Sequence, residues 1–133
     1  MNQPEFLYGD ELLIAAFGEL PPRSRFKVVE ESEIVVAFYS ARQKPQFAEF
    51  FTNYPFDEDS LKPRSAAISE GLDSLQQSRL VGRMNPDLVD YTIDPAMRIR
   101  FENHVKPKLK GKEELLAQFA SEIVSRLKIK DPP

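Results

Sequence analysis

One histidine, His104, and no cysteine limit what this chain can do unaided. A triad or a transition-metal centre needs several nitrogen or sulfur ligands converging, and there is nothing here to build one from. The densest group of carboxylates is Asp57-Glu58-Asp59. Such oxygens suit a hard cation, but a calcium loop needs acids at three alternating positions, then glycine, then a glutamate at the twelfth, and none of that follows. The knot reads as the cap of a helical turn before Pro63, and Asp87, Asp90 and Asp94 read as acids solvating an exposed face. With no glycine-rich phosphate loop either, no enzyme, cofactor or metal is expected. The remaining chemistry is cationic. Arg23, Arg25 and Lys27 follow Pro21-Pro22, and Lys106, Lys108, Lys110 and Lys112 alternate through VKPKLKGK. Both stretches can sit on phosphates, and both also read as wet connectors.

The elements that position these cations follow from periodicity. A chain of 133 residues, 41% hydrophobic and 29% charged, suits one core. Asp10–Leu20 places Leu13, Ala16, Phe17 and Leu20 on one helical face, with Asp10 and Glu11 at the favourable end of its dipole. Pro21-Pro22 must end it. In EESEIVVAFYSAR, residues 30–42, period alone admits a helix or a strand buried on both faces, and the β-branched run leans to strand. Ser32 as an N-cap, and the lack of a tight turn after FKVV, favour a helix. A short helix is expected from Pro45, with Phe47, Phe50 and Phe51 on one side. Seven of the fourteen aromatic residues fall between Phe38 and Phe56. They can stack on bases or line a pocket, but phenylalanine at helical spacing is the ordinary make-up of a core.

Helices are also expected over 96–105, from Met97, Phe101 and Val105, and over 113–128, from Leu115, Leu116, Phe119, Ala120, Ile123, Val124 and Leu127. The second stripe must be covered by the rest of the chain or by a copy of it, so a homodimer through 113–128 is one expectation. Glu122 stands four residues before Arg126, the supportive order for an ion pair.

Between these parts lies PRSAAISEGLDSLQQSRLVGRMNPDLVDYTIDP, residues 63–95. Ile68, Leu72 and Leu75 mark a helix, then Leu80 and Val81 lead through an Asn85-Pro86-Asp87 turn to Tyr91 and Ile93, which alternate with Thr92 and Asp94 until Pro95. This helix followed by a hairpin resembles the recognition helix and wing of winged helix-turn-helix proteins. The resemblance implies an α+β, mostly helical fold: a three-helix core, a small hairpin wing over 82–90 and added C-terminal helices. Residues 1–95 would form the winged-helix-like domain and 96–133 a helical extension, together one unit. In DNA-binding relatives the recognition helix enters the major groove while the wing meets flanking phosphates. The resemblance therefore implies double-stranded DNA as partner. It makes Arg64, Ser65, Ser69, Gln76 and Gln77 candidates on the helix, and Arg83 and Asn85 candidates at the wing. Lys106, Lys108 and Lys110 are further phosphate-contact candidates.

Charge pulls against that implication. Residues 1–95 carry sixteen Asp/Glu against nine Lys/Arg, whereas 96–133 carry nine Lys/Arg against five Asp/Glu. The span 57–95 alone has eight acids and four cations, and phosphate neutralisation supplies most non-specific affinity for DNA. Two readings stand: a nucleic-acid-binding protein of the transcriptional-regulator kind, and a non-catalytic winged-helix module that docks another protein. An acidic N-terminal stretch and no apolar run of about 18 residues lead to the expectation of a cytoplasmic protein without membrane contact.

Overall fold

Helix α1, Glu11–Phe17, buries every residue from Leu12 to Phe17. A helix apolar all round must be covered all round, and α1 is the centre on which the other elements pack. The computed structural model describes residues 7–59, 61–84 and 90–131. After α1 come β1 (Arg25–Lys27), α2 (Ser32–Arg42), a 3-10 helix (Pro45–Phe51), α3 (Ala66–Gln77), β2 (Val81–Met84), β3 (Asp90–Ile93), α4 (Ala96–Arg100) and α5 (Glu113–Leu127). Between α4 and α5 the chain stays helical, first as a wide π turn over Phe101–Val105 and then as a 3-10 turn over Lys106–Leu109. The fold is α+β and mostly helical, with one antiparallel sheet ordered β1-β3-β2.

Residues 32–42 are helical, as the absence of a turn after FKVV suggested. Ser32 does not cap them. The helix begins at Ser32 itself, and the Glu33 carboxylate accepts from the Glu30 amide instead, 3.1 Å away. The stretch read as a basic connector contains β1, whose alternation puts Arg25 and Lys27 out and Phe26 in. Three residues are too short for that period to stand out beside two prolines. Asp57 caps no helical turn. Its backbone pairs with Arg64 in both directions, at 2.7 and 2.9 Å, and closes the 57–64 loop.

Two sets of contacts hold the layers together. Phe119 of α5 meets the rings of Phe38, Phe47, Phe50 and Phe51, with centroids 5.3–6.1 Å apart. These aromatics are core, and α5 spends Leu116, Phe119, Ile123 and Leu127 inside its own chain. Of the stripe that suggested a homodimer through 113–128, these four residues are covered by the chain itself, while Leu115, Ala120 and Val124 stay half-buried. At the other end of α1, the buried Tyr54 hydroxyl accepts from the Leu12 amide at 3.2 Å and donates to the Gly9 carbonyl at 3.0 Å. Burial pushes its pKa well above that of an ordinary tyrosine. Asp10 accepts from the Ser74 hydroxyl at 2.9 Å and faces Arg100 at 3.7 Å, tying α1 to α3 and α4.

Glu122 accepts from Lys44 at 2.8 Å and pairs with Arg126 on its own helix. The Lys44 hydrogen bond, then Arg126, hold its carboxyl below the usual range.

Gly18 ends α1 where the Phe101 ring lies against bare backbone, and a Cβ there would come within 2.3 Å of the ring. Gly18→Ala is therefore expected to destabilise the protein by about 1–3 kcal/mol, the usual cost of overpacking a core. Urea denaturation reads this directly. An unchanged midpoint would mean that the two segments do not approach so closely in solution.

Candidate nucleic-acid interface

Cross-strand register decides which side chains share a face of the sheet. One row runs Phe26, Tyr91, Arg83. Phe26 and Tyr91 stack with centroids 5.1 Å apart, and the Arg83 guanidinium carbon stands 5.0 Å from the Tyr91 ring centre. Burial raises the Tyr91 hydroxyl pKa while Arg83 opposes the shift. The neighbouring row, on the opposite face, runs Lys130, Arg25, Thr92, Gly82. Lys130 joins it because the end of the chain pairs with β1, the Arg25 and Lys130 backbones exchanging hydrogen bonds of 3.1 and 2.9 Å. A Cβ on Gly82 would meet nothing within 4 Å, so a ligand can reach the strand backbone there.

Around these strands lies an open cleft of about 940 Å³ with four arginines on its walls: Arg23, Arg25, Arg79 and Arg83. Gln76, Thr92 and Asp94 also line it. Among the described residues Asp94 is the one acid lining it, and that carboxylate accepts from the Ala96 amide at 2.8 Å, at the start of α4. Arg23, Arg25 and Arg79 take part in none of the ion pairs found among the described residues. Several cations elsewhere are committed, Lys44 to Glu122, Lys112 to Glu49 and Lys108 to Glu11, each at 2.8 Å, whereas Lys27, Lys106, Lys110, Lys128 and Lys130 belong to none of the described ion pairs.

The site residues expected from sequence are dispersed by this arrangement. Gln76 and Arg83 line the cleft. Arg64, Ser65 and Ser69 line a separate groove of about 640 Å³ between α2 and α3, together with Val35, Pro55, Phe56, Pro63 and Ala67. Ser65 is buried, and its hydroxyl accepts from the Ile68 amide at 3.1 Å as the N-cap of α3, so its hydrogen-bonding capacity serves the helix. Gln77 is exposed beside neither pocket. Asn85, and with it the turn expected from Asn85-Pro86-Asp87, lies outside the described residues. Lys106, Lys108 and Lys110 line neither pocket. Lys106 and Lys108 belong to the 3-10 turn rather than a loop, Lys110 follows it, and Lys108 also sits 4.2 Å from the centre of the Tyr8 ring. His104 is exposed.

The outward face of α3 carries Glu70 and Asp73 and no cation. In the sequence Arg23 and Arg25 stand out with Lys27 as a basic stretch and Arg83 as a wing candidate, while nothing singles out Arg79. Only the pairing of β1 with β3 brings Arg23 and Arg25 beside Arg79. Among the described residues no group of His, Cys, Asp or Glu is placed to hold a metal ion, and no helix is long and apolar enough to cross a membrane. Compared with profiles of known protein families, with curated proteins and with solved structures, the chain finds no match.

Proposed function

We propose that this is a winged-helix protein that binds nucleic acid through the arginine cleft, gripping the phosphate backbone from the sheet side. The observation that carries the reading is the gathering of Arg23, Arg25 and Arg79 around one open cleft, all three outside any described ion pair, with Arg83 at its edge and its guanidinium turned to Tyr91 on the other face of the sheet. Guanidinium groups match phosphate oxygens with paired hydrogen bonds, and such contacts supply most of the affinity of nucleic-acid binders. The order of elements supports the winged-helix part: α1, α2 and α3 precede the β2–β3 strands as the resemblance implies. The acidic outer face of α3 sets this chain apart from a reader of the major groove, because Glu70 and Asp73 would approach the phosphates on either side. The wing strands and the end of α3 carry the contact instead.

A fluorescence-anisotropy titration with a labelled random duplex and a labelled single strand, begun at low salt, tests this. Binding is expected at low salt, with log affinity falling against log salt at a slope of about −2 to −4, as for a few neutralised phosphates. No binding of either strand form at the lowest salt removes the reading. A second reading, a module that docks another protein, draws on the apolar groove between α2 and α3 and on Leu61, which projects fully exposed from the loop beside it.

A further inference from the structure

Among the described residues three that are not glycine hold a positive φ, and all three are cations: Arg23 at 72°, Arg79 at 61° and Lys128 at 54°. Side chains with a Cβ rarely adopt that conformation, and where they persist in it the surroundings hold them there, most often at functional sites. Two of the three line the same cleft.

Each of these two arginines occupies a place where glycine is the usual residue. Arg79 ends α3: its amide donates to the Gln76 carbonyl at 3.1 Å, and the Leu80 amide reaches back to Leu75 at 2.9 Å. That pair of bonds defines the helix-ending motif whose left-handed position normally carries glycine. Arg23 is the third residue of the Pro21–Ser24 turn, closed by the Ser24 amide on the Pro21 carbonyl at 3.1 Å. With Pro22 before it and a positive φ, this is the position that a type II turn reserves for glycine. The two turns flank one strand end. The Arg23 amide donates to Ile93 at 2.8 Å, and the Asp94 amide donates to Leu80 at 2.9 Å. A third observation falls beside the same place: Gln76 lines the cleft, while its Nε2 is turned inward, closed to solvent and without a hydrogen-bond partner, so that rotation of the amide would bring an unsatisfied donor to the cleft. A buried donor left unpaired is costly unless something else supplies the acceptor.

We propose that Arg23, Arg79 and Gln76 form a subsite for one phosphate group, the two guanidinium groups donating to its oxygens and the Gln76 amide turning outward to join them. The phosphate is taken to be a phosphodiester of the nucleic acid in the arginine cleft, so the subsite rests on that reading. The two arginines keep a strained backbone because glycine, which would relax it, has no side chain to reach the anion. Gln76 keeps an unpaired amide for the same reason.

The test separates fold from binding. Arg23→Gly, Arg79→Gly and Gln76→Leu are made in the full chain, and thermal melting is followed beside anisotropy with a labelled oligonucleotide at low salt. The glycine variants are expected to melt at the same temperature or higher, since the backbone is relieved. Each variant is expected to lose about tenfold in affinity, and the arginine variants about one unit of salt slope. Should a glycine variant fail to fold, Asn, which also tolerates positive φ, takes its place. Inorganic phosphate is expected to displace the oligonucleotide more effectively than chloride at equal ionic strength. Affinity that grows with oligonucleotide length assigns the phosphate to a chain, and affinity already complete with a nucleoside monophosphate assigns it to a free ligand. If the intact protein binds while all three variants keep its affinity, or if phosphate and chloride compete equally, the subsite is overturned and the cleft reading survives. If the intact protein binds nothing, both fall.

Discussion

Replacing Phe119 by alanine is expected to remove about 3–5 kcal/mol of stability, the usual cost of truncating a buried aromatic side chain. The site gives no easy route to collapse. Four rings from α2 and the 3-10 helix surround Phe119, and their backbones are fixed by other contacts. Against a total of about 5–15 kcal/mol for a native protein, that loss takes a large share. Urea denaturation measures it, with Lys110→Ala as a surface control expected to stay within about 0.5 kcal/mol. A loss below about 1 kcal/mol at Phe119 would mean that α5 does not close the core, and would return its apolar stripe to a dimer.

The second large effect concerns binding. Reversing two cleft charges, Arg25→Glu with Arg79→Glu, is expected to reduce oligonucleotide affinity at least a hundredfold, since each lost contact to a charged phosphate is worth about 1.5–3 kcal/mol and each new carboxylate adds repulsion. Folding should change little, because neither arginine belongs to a described ion pair. A companion variant locates the nucleic acid. Neutralising α3 with Glu70→Gln and Asp73→Asn would strengthen binding markedly if that helix lay between phosphate rows, and is expected to change it less than threefold if the contact is on the sheet side. Intact affinity in the double reversal would move the binding surface elsewhere.

Much of the helical framework was legible in the sequence, because Ile68, Leu72 and Leu75, or Leu116, Phe119 and Ile123, repeat at a spacing that only a helix turns to one side. The phenylalanines between residues 38 and 56 were legible as core for the same reason. The cleft was not. It depends on β1, three residues long, finding β3 some 65 positions later, and pairing at that separation leaves no local period to read. The roles of Ser65 and Lys108 were hidden similarly. A serine before a helix suits a cap and a polar contact equally, and nothing near Lys108 in sequence announces Glu11, which holds it. Arg23 and Arg79 carried a signal only in reverse, since their strain is visible once the backbone is known and glycine is the residue that their turns would predict.

The hydrogen bonds between Arg25 and Lys130, with α5 lying across α1 and α2, set the order of events during synthesis. A ribosome makes α1 and β1 well before the residues that complete both. Until α5 and Lys130 emerge, the growing polypeptide holds an apolar α1 with no α5 to cover it, a ring of phenylalanines without Phe119, and a β1 edge open to any passing strand. Closure of the core therefore waits for α5 and Lys130, and the nascent chain is at its most aggregation-prone just before they appear.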